Sequence, residues 1–279
     1  MDIKTLKHIT QAFFQAMKSK KYVPIEHINN KENLLVNKVV LIIGASGGIG
    51  SAIAREVSAS GGKLILAGRN IEKLKKLSDE IGENVKWIEI DTSKTKDIKK
   101  EIYSAVKFFG KIDILINVAG VHSTKPMTTF LNISVDDYEK IMSVNLEGTY
   151  FACQAIAKYF IDSKISGHIL NVSSSTAGEP SWSAYRLSKR GVESLTTGLA
   201  QSLTKYGITV NGIAPGSTAT ELLGFKKGDS IYTTDNEVGR YIMPEEVATY
   251  AVMLVSDLGD MVVGDTLYIS GGRGTYDIR

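Results

Sequence analysis

The chain is poor in residues that staple, kink or anchor a protein. Its single cysteine, Cys153, rules out an intrachain disulfide, and nothing in the cysteine usage calls for an oxidising compartment, so a cytoplasmic location is expected. The apolar runs, such as Val39 to Ile43, are far too short to cross a bilayer, and the N-terminus lacks the charged, apolar and small-residue succession of a secretory signal. Four scattered histidines and one cysteine offer no metal-ligand set. A net charge of only +3 gives no electrostatic case for binding nucleic acid. Only five prolines punctuate the chain, and no internal repeat or low-complexity run is present.

With 43% hydrophobic and 23% charged residues, 279 residues suffice for one large α/β domain with a substantial core. The charge is uneven. Residues 1–37 carry Lys4, Lys7, Lys18, Lys20, Lys21 and Lys31 against Asp2, Glu26 and Glu32. Within them Ile3, Leu6, Ile9, Phe13 and Met17 recur at helical steps, which predicts an amphipathic helical extension. It reads as a packing arm or oligomer contact; the rival reading, an anionic membrane surface, suffers from a short, interrupted apolar face.

From Lys38 onward, apolar runs of strand length alternate with helical patterns: "KVVLIIG", "KLILAG", "VKWIEI", "IDILINVAG", "HILNVSS", "ITVNGIAPG" and "TLYIS" each stand between helix-length segments. One of these is a long helix from about Val135 to Ser163, and another runs from Tyr185 to Lys205 with Leu187, Leu195 and Leu199 toward the core. Continuous apolar strands separated by helices mean a parallel sheet covered on both faces, so residues 38–279 are expected to form one α/β, doubly wound, seven-stranded domain of Rossmann type. Ser217 to Ile242 lacks clear periodicity, and so long an irregular stretch in a compact domain predicts a lid or binding loop.

"IIGASGGIG" joins the first strand to the first helix. Its glycines permit positive φ and let backbone N–H groups approach a pyrophosphate at the helix N-terminus, where the dipole favours negative charge. Position after a strand and before a helix is what separates a dinucleotide cradle from a merely tight turn.

The spacing Gly44, Gly48, Gly50, together with "INVAG" at 116–120, "VN" at 144–145, Y-x-x-x-K at 185–189 and "PGSTAT" at 215–220, resembles the short-chain dehydrogenase/reductase family. The resemblance covers about Lys38 to Gly272 in the family's order, and its style is that of a 3-oxoacyl-carrier-protein reductase. It implies a cofactor set of Gly44, Ser46, Gly48, Ile49 and Gly50. Asp91 is similar to the family's adenine-binding acid, and Asn117 with Ala119 and Gly120 to the motif that lines the adenine ribose and supports the central sheet, although an Asp or Asn at a strand end caps a turn just as often. Pro215 and Gly216 would form the turn under the nicotinamide, Thr218 would meet the carboxamide through its backbone, and Thr220 the pyrophosphate.

At the end of the second strand stands Gly68, where an acid would hold a ribose 2′-hydroxyl, followed by Arg69. An arginine fork suits a 2′-phosphate, so NADP is expected, with NAD as the alternative if Arg69 is simply solvated.

Tyr185 and Lys189 lie at i and i+4, on one helix face. Converting a carbonyl to an alcohol needs hydride transfer and a proton at oxygen, yet a free tyrosine has a pKa of about 10. A neighbouring ammonium stabilises the phenolate. The resemblance makes Tyr185 the acid/base, Lys189 its electrostatic partner and a ribose ligand, and Asn145 the anchor of a proton-relay water. A serine would orient the substrate oxygen; Ser174 counts correctly from the strand, whereas Ser175 counts correctly from Gly178, because the segment up to Tyr185 is shorter than in the family. His122, Glu179 and Trp182 border the expected substrate space.

The resulting expectation is an NADP-preferring oxidoreductase interconverting a ketone and a secondary alcohol on a small molecule, with a 3-oxoacyl thioester as one candidate. A sugar or polyol dehydrogenase and a non-catalytic dinucleotide sensor are the alternatives. Relatives of this type form homo-tetramers or homo-dimers through their long helices, so a homo-oligomer is expected.

Overall fold

The computed structural model describes residues 33–123, 128–226 and 228–273. The amphipathic stretch from Ile3 to Met17 lies outside them. Among the described residues, β1 (Val39–Ile43), β2 (Lys63–Gly68), β3 (Val85–Glu89), β4 (Ile114–Asn117), β5 (His168–Val172), β6 (Thr209–Pro215) and β7 (Thr266–Ile269) form one all-parallel sheet in the order β3-β2-β1-β4-β5-β6-β7.

Strand β1 shows why both faces must be covered. Its five residues are all buried, and the period-two alternation sends Val40 and Ile42 to one core, Val39, Leu41 and Ile43 to the other. Helices α1 (Gly48–Ala59), α2 (Ile71–Ile81) and α7 (Pro244–Val255) pack on the first face through Ile53, Val57, Leu74 and Ala251. Helices α3 (Thr95–Val106), α5 (Gly148–Ser163) and α6 (Ala184–Leu203) cover the second through Ile98, Ile102, Ile156, Phe160 and Ala200. Leu35 is also fully buried in the first core and its N–H donates to Ser60 O at 2.9 Å, so the folded unit begins before Lys38.

Two expectations change. The long helix from Val135 divides into α4 (Val135–Met142), a π-helical turn Ser143–Glu147, and α5. That one-residue bulge carries Asn145 inward, a use for which π turns are suited. On α6, Leu187 is 45% exposed; the inward positions are Val192, Thr196, Ala200 and Leu203. Leu187 stands two residues from Tyr185, about 200° round the helix from the face that meets the cleft.

β1 pairs with β2 on one side and β4 on the other, so the crossovers diverge at their C-terminal ends and open a crevice there, as in other open parallel sheets. The Ser217–Ile242 segment rises over this edge. Its two ends are laced together by Ile242 N–H to Ser217 O and Ala219 N–H to Ile242 O, both 2.9 Å.

Close packing sets the spacing of the second layer. A Cβ on Gly148 at the start of α5 would lie 2.6 Å from Thr92 Cβ and 2.7 Å from Thr92 O, whereas one on Gly198 of α6 would meet nothing within 4 Å. Gly148→Ala is therefore expected to destabilise the fold by about 1–3 kcal/mol through overpacking, and Gly198→Ala to stabilise it by roughly 0.5–1 kcal/mol through helix propensity. Urea midpoints of the two variants check both signs.

Candidate active site

The crevice is a cavity of about 1220 Å3, larger than the ~300–1,000 Å3 typical of a site for one small ligand. Its floor is the β1–α1 turn. Gly44 has φ of +93°, and a Cβ there would sit 2.5 Å from the Ala119 nitrogen. A Cβ on Gly48 would strike Thr220 Cγ2 at 2.6 Å, and one on Gly50 would collide with the backbone of Gly44 and Ala45. The three glycines of the motif are thus required by close approach. The N-cap of α1, Gly47, supplies no side-chain hydrogen bond, and the first turn holds no acidic residue. This leaves the positive end of the helix open to an anion from the cavity.

The same cavity is lined by Ser46, Ile49, Gly68 and Arg69 on one side, by Ala119 and Gly120 above β4, and by Pro215, Gly216, Thr218 and Thr220 after β6. Three residues of the expected set do not line it. Asp91 Oδ1 accepts from Ser93 N–H at 3.1 Å and Ser93 O–H at 2.7 Å, so its carboxylate caps the turn after β3. Asn117 is buried within the sheet, donating to Asn171 Oδ1 at 2.9 Å, and Asn171 in turn donates to Thr196 Oγ1 at 3.0 Å. Asn145 is fully buried: its Oδ1 accepts from Val121 N–H at 2.8 Å and its Nδ2 donates to Val121 O at 2.9 Å and Ser188 Oγ at 3.1 Å. It grips the loop after β4 instead of completing its own helix.

The chemistry-bearing groups lie opposite the glycine turn. Ser174, just past β5, stands beside the Tyr185 phenol, which burial pushes above its ordinary range while the Ser174 hydroxyl acts the other way; its Oγ also lies 3.0 Å from Thr176 Oγ1 and accepts from Thr176 N–H at 3.3 Å. Ser175 also lines the cavity, but its Oγ is buried without a hydrogen-bond partner and does not meet Tyr185. Lys189 is buried, with Nζ 6.0 Å from the Tyr185 ring centroid and donating to Val172 O at 2.8 Å. Burial alone brings its pKa down to about 8. Helix α6 presents both groups because Ser183 Oγ caps it, accepting from Arg186 N–H at 3.2 Å.

The model of the short chain dehydrogenases matches residues 38–229. The chain belongs to that family. It is 34% identical over 243 residues to a 3-oxoacyl-[acyl-carrier-protein] reductase of Rickettsia felis, covering 85% of this chain and 97% of that protein. It is 32% identical over 252 residues to 3beta-hydroxysteroid dehydrogenase 1 of Eggerthella lenta, covering 87% and 95% respectively. The crystal structure of 3-ketoacyl-(acyl-carrier-protein) reductase from Brucella melitensis complexed with NADH superposes with a TM-score of 0.78 at 30% identity, covering 86% of this chain and 99% of that one. As a short-chain dehydrogenase, the chain is an oxidoreductase acting on a carbonyl or alcohol group.

Several residues of this short-chain dehydrogenase's site carry no sequence signal. Arg186, Asp235, Tyr241 and Arg273 line the cavity. Glu179 Oε2 pairs with Arg186 at 2.9 Å and its Oε1 with Arg273 at 3.1 Å, while Ser217 Oγ donates to Asp235 Oδ2 at 2.8 Å. The partners span 94 residues, which no local pattern encodes. Trp182, expected at the pocket wall, is 47% exposed and outside the cavity lining.

The Lys189 shift has a stability consequence. Its folded pKa lies below the unfolded value, so the folded chain releases the proton while the unfolded chain still holds it. The cost of the buried ammonium is fully present below about pH 8 and falls away as the pH rises toward the ordinary lysine range. In cofactor-free protein, Lys189→Met is expected to be more stable than wild type near neutrality, with the gap narrowing by on the order of 1–3 kcal/mol between pH 7 and 10. Denaturant titrations of both proteins across that range read it; a gap independent of pH contradicts it.

Proposed function

We propose that the chain is an NADP(H)-preferring reductase of ketones to secondary alcohols, with 3-oxoacyl thioesters as its substrate class and Tyr185 as acid/base. The observation that carries this is the placement of Ser174, Tyr185 and Lys189 on one wall of the cavity whose opposite floor is the Gly44–Gly50 cradle. The similarity to 3-oxoacyl-carrier-protein reductases supports the substrate class.

The cradle suits a nicotinamide dinucleotide: a pyrophosphate would lie against the α1 N-terminus, where Thr220 already packs on Gly48, and the bound cofactor would supply the hydride. Gly68 ends β2 without a carboxylate, and the exposed Arg69 beside Ser46 on the cavity wall supports a 2′-phosphate. The chain's own residues then handle the oxygen. The Ser174 hydroxyl donates to the substrate carbonyl and orients it. Tyr185 gives its proton to that oxygen in reduction and takes it back in oxidation. The Lys189 ammonium, fixed by Val172 O, favours the phenolate that results. Asn145 keeps the loop after β4 at the distance Lys189 requires, since a Cβ on Gly120 would lie 3.2 Å from Lys189 Nζ and 3.6 Å from Asn145 Oδ1.

The second reading is a sugar or polyol dehydrogenase, favoured by the charged groups Arg186, Asp235 and Arg273 on the cavity wall. A cytoplasmic homo-oligomer completes the proposal, supported by the exposed Tyr150 and Phe151 of α5 and Leu187 of α6 on the long helices, and by the absence, among the described residues, of a helix able to cross a membrane.

Initial rates with NADPH and NADH against 3-oxoacyl thioesters, simple ketones and keto-sugars test the assignment. Tyr185→Phe is expected to lower kcat by about 10²–10⁴ while cofactor affinity changes far less. Arg69→Ala is expected to raise the KM for NADPH about tenfold with little effect on NADH. Equal wild-type rates with both cofactors would overturn the Arg69 argument, and exclusive turnover of keto-sugars would transfer the assignment to the second reading.

A further inference from the structure

Within the irregular segment after β6, residues Glu221–Leu223 form one 3-10 turn that crosses the mouth of the cavity. Its cofactor side is fastened twice: Thr220 packs on Gly48, and Glu221 Oε2 pairs with Lys73 Nζ of α2 at 2.9 Å. On the substrate side it has one polar tether from across the cleft. His122, in the loop after β4, places Nε2 3.1 Å from Leu222 O, 100 residues away. Its Nδ1 lies 2.8 Å from Ser123 O, and its ring meets the Tyr185 ring edge-on at 6.4 Å between centroids. Carbonyl oxygens only accept, and each ring nitrogen faces one: a neutral ring with its proton on Nε2 ties the turn and leaves Nδ1 without a bond to Ser123 O, whereas a ring carrying both protons makes the two bonds at once.

The turn brings two apolar side chains to the site. Leu222 and Leu223 line the cavity yet are 53% and 51% exposed, and Phe225 behind them packs against Tyr241, also on the cavity wall. Two half-exposed leucines on a tethered turn beside the catalytic tyrosine are a surface awaiting an apolar occupant. Arg186 and Arg273 on the far wall are already paired, both with Glu179 behind the lining and Arg273 also with Asp235, and offer an alkyl chain nothing comparable.

We propose that His122 is a positioning residue that pins the Glu221–Leu223 turn, so that Leu222 and Leu223 form the wall against which an apolar chain attached to the substrate carbonyl lies. This rests on the ketone-reductase reading and narrows it to substrates with an alkyl tail, selected through a residue that need not exchange a proton with them.

Two readouts separate this proposal from that reading. Hydrogen exchange of the 218–225 amides in the NADPH-bound protein is expected to rise about tenfold in His122→Ala, the worth of one hydrogen bond. His122→Gln, which keeps an N–H donor, is expected to restore part of the protection. In steady state, wild type should gain in kcat/KM by up to roughly fourfold per methylene between four- and eight-carbon 3-oxoacyl thioesters. His122→Ala should flatten that gain through KM, with kcat the less affected constant. Unchanged exchange in His122→Ala overturns the tether, whatever the activity. Raised exchange with the chain-length gain intact overturns the wall. An equal loss of kcat on both thioesters would make His122 part of the chemistry and also overturn the proposal. Absence of wild-type turnover with any thioester would refute the reductase reading, while the exchange result would still decide the tether.

Discussion

The hydrogen bond from the Lys189 ammonium to the Val172 carbonyl, 2.8 Å long and out of contact with water, is the constraint on which the site depends. An isolated buried cation is costly, so the surrounding chain must hold its few partners in place. Strand β5 delivers the carbonyl. The hydroxyl of Ser173, the next residue, lies 3.1 Å from both Lys189 O and Glu193 Oε1 and shares its one proton between them, and Glu193 also accepts from Tyr268 O–H of β7 at 2.8 Å. The helix bearing the lysine is thereby joined through polar contacts to the ends of two strands.

The opposite side of Lys189 is set by the loop after β4. The π turn rotates Asn145 into that loop, and the two bonds it makes with Val121 hold Gly120 against the ammonium. Burial acts on Tyr185 and Lys189 alike in the direction of neutrality, raising the phenol and lowering the ammonium. A site of this kind is poised for charge: an anion at the α1 N-terminus and a developing negative oxygen at Ser174 would find donors already oriented.

Much of the fold was legible in the sequence because central parallel strands covered on both faces are apolar along most of their length. "VVLII" and "ILIN" could take little other form, and the glycines of "GASGGIG" announced the close approach that the structure displays. Tyr185 and Lys189 were legible for a related reason, since helical periodicity alone puts i and i+4 on one face. Less legible were the residues whose side chains could serve either the cavity or their own surroundings. Asp91 capped its turn, Asn117 joined the sheet's internal polar chain, and Leu187 and Trp182 faced outward.

The sequence by itself determined the order of strands and helices, the phosphate-sized turn and the face of α6 that carries the tyrosine and lysine, because each follows from periodicity or from a missing side chain within a few residues. Only the tertiary structure decided which of two adjacent serines reaches the phenol, how Glu179 joins Arg186 to Arg273, and that His122 and Lys73 hold one short turn from opposite sides. These are contacts between segments up to 148 residues apart. Their geometry depends on how loops settle over strand ends, where backbone groups free of the sheet ladder choose among several nearby partners.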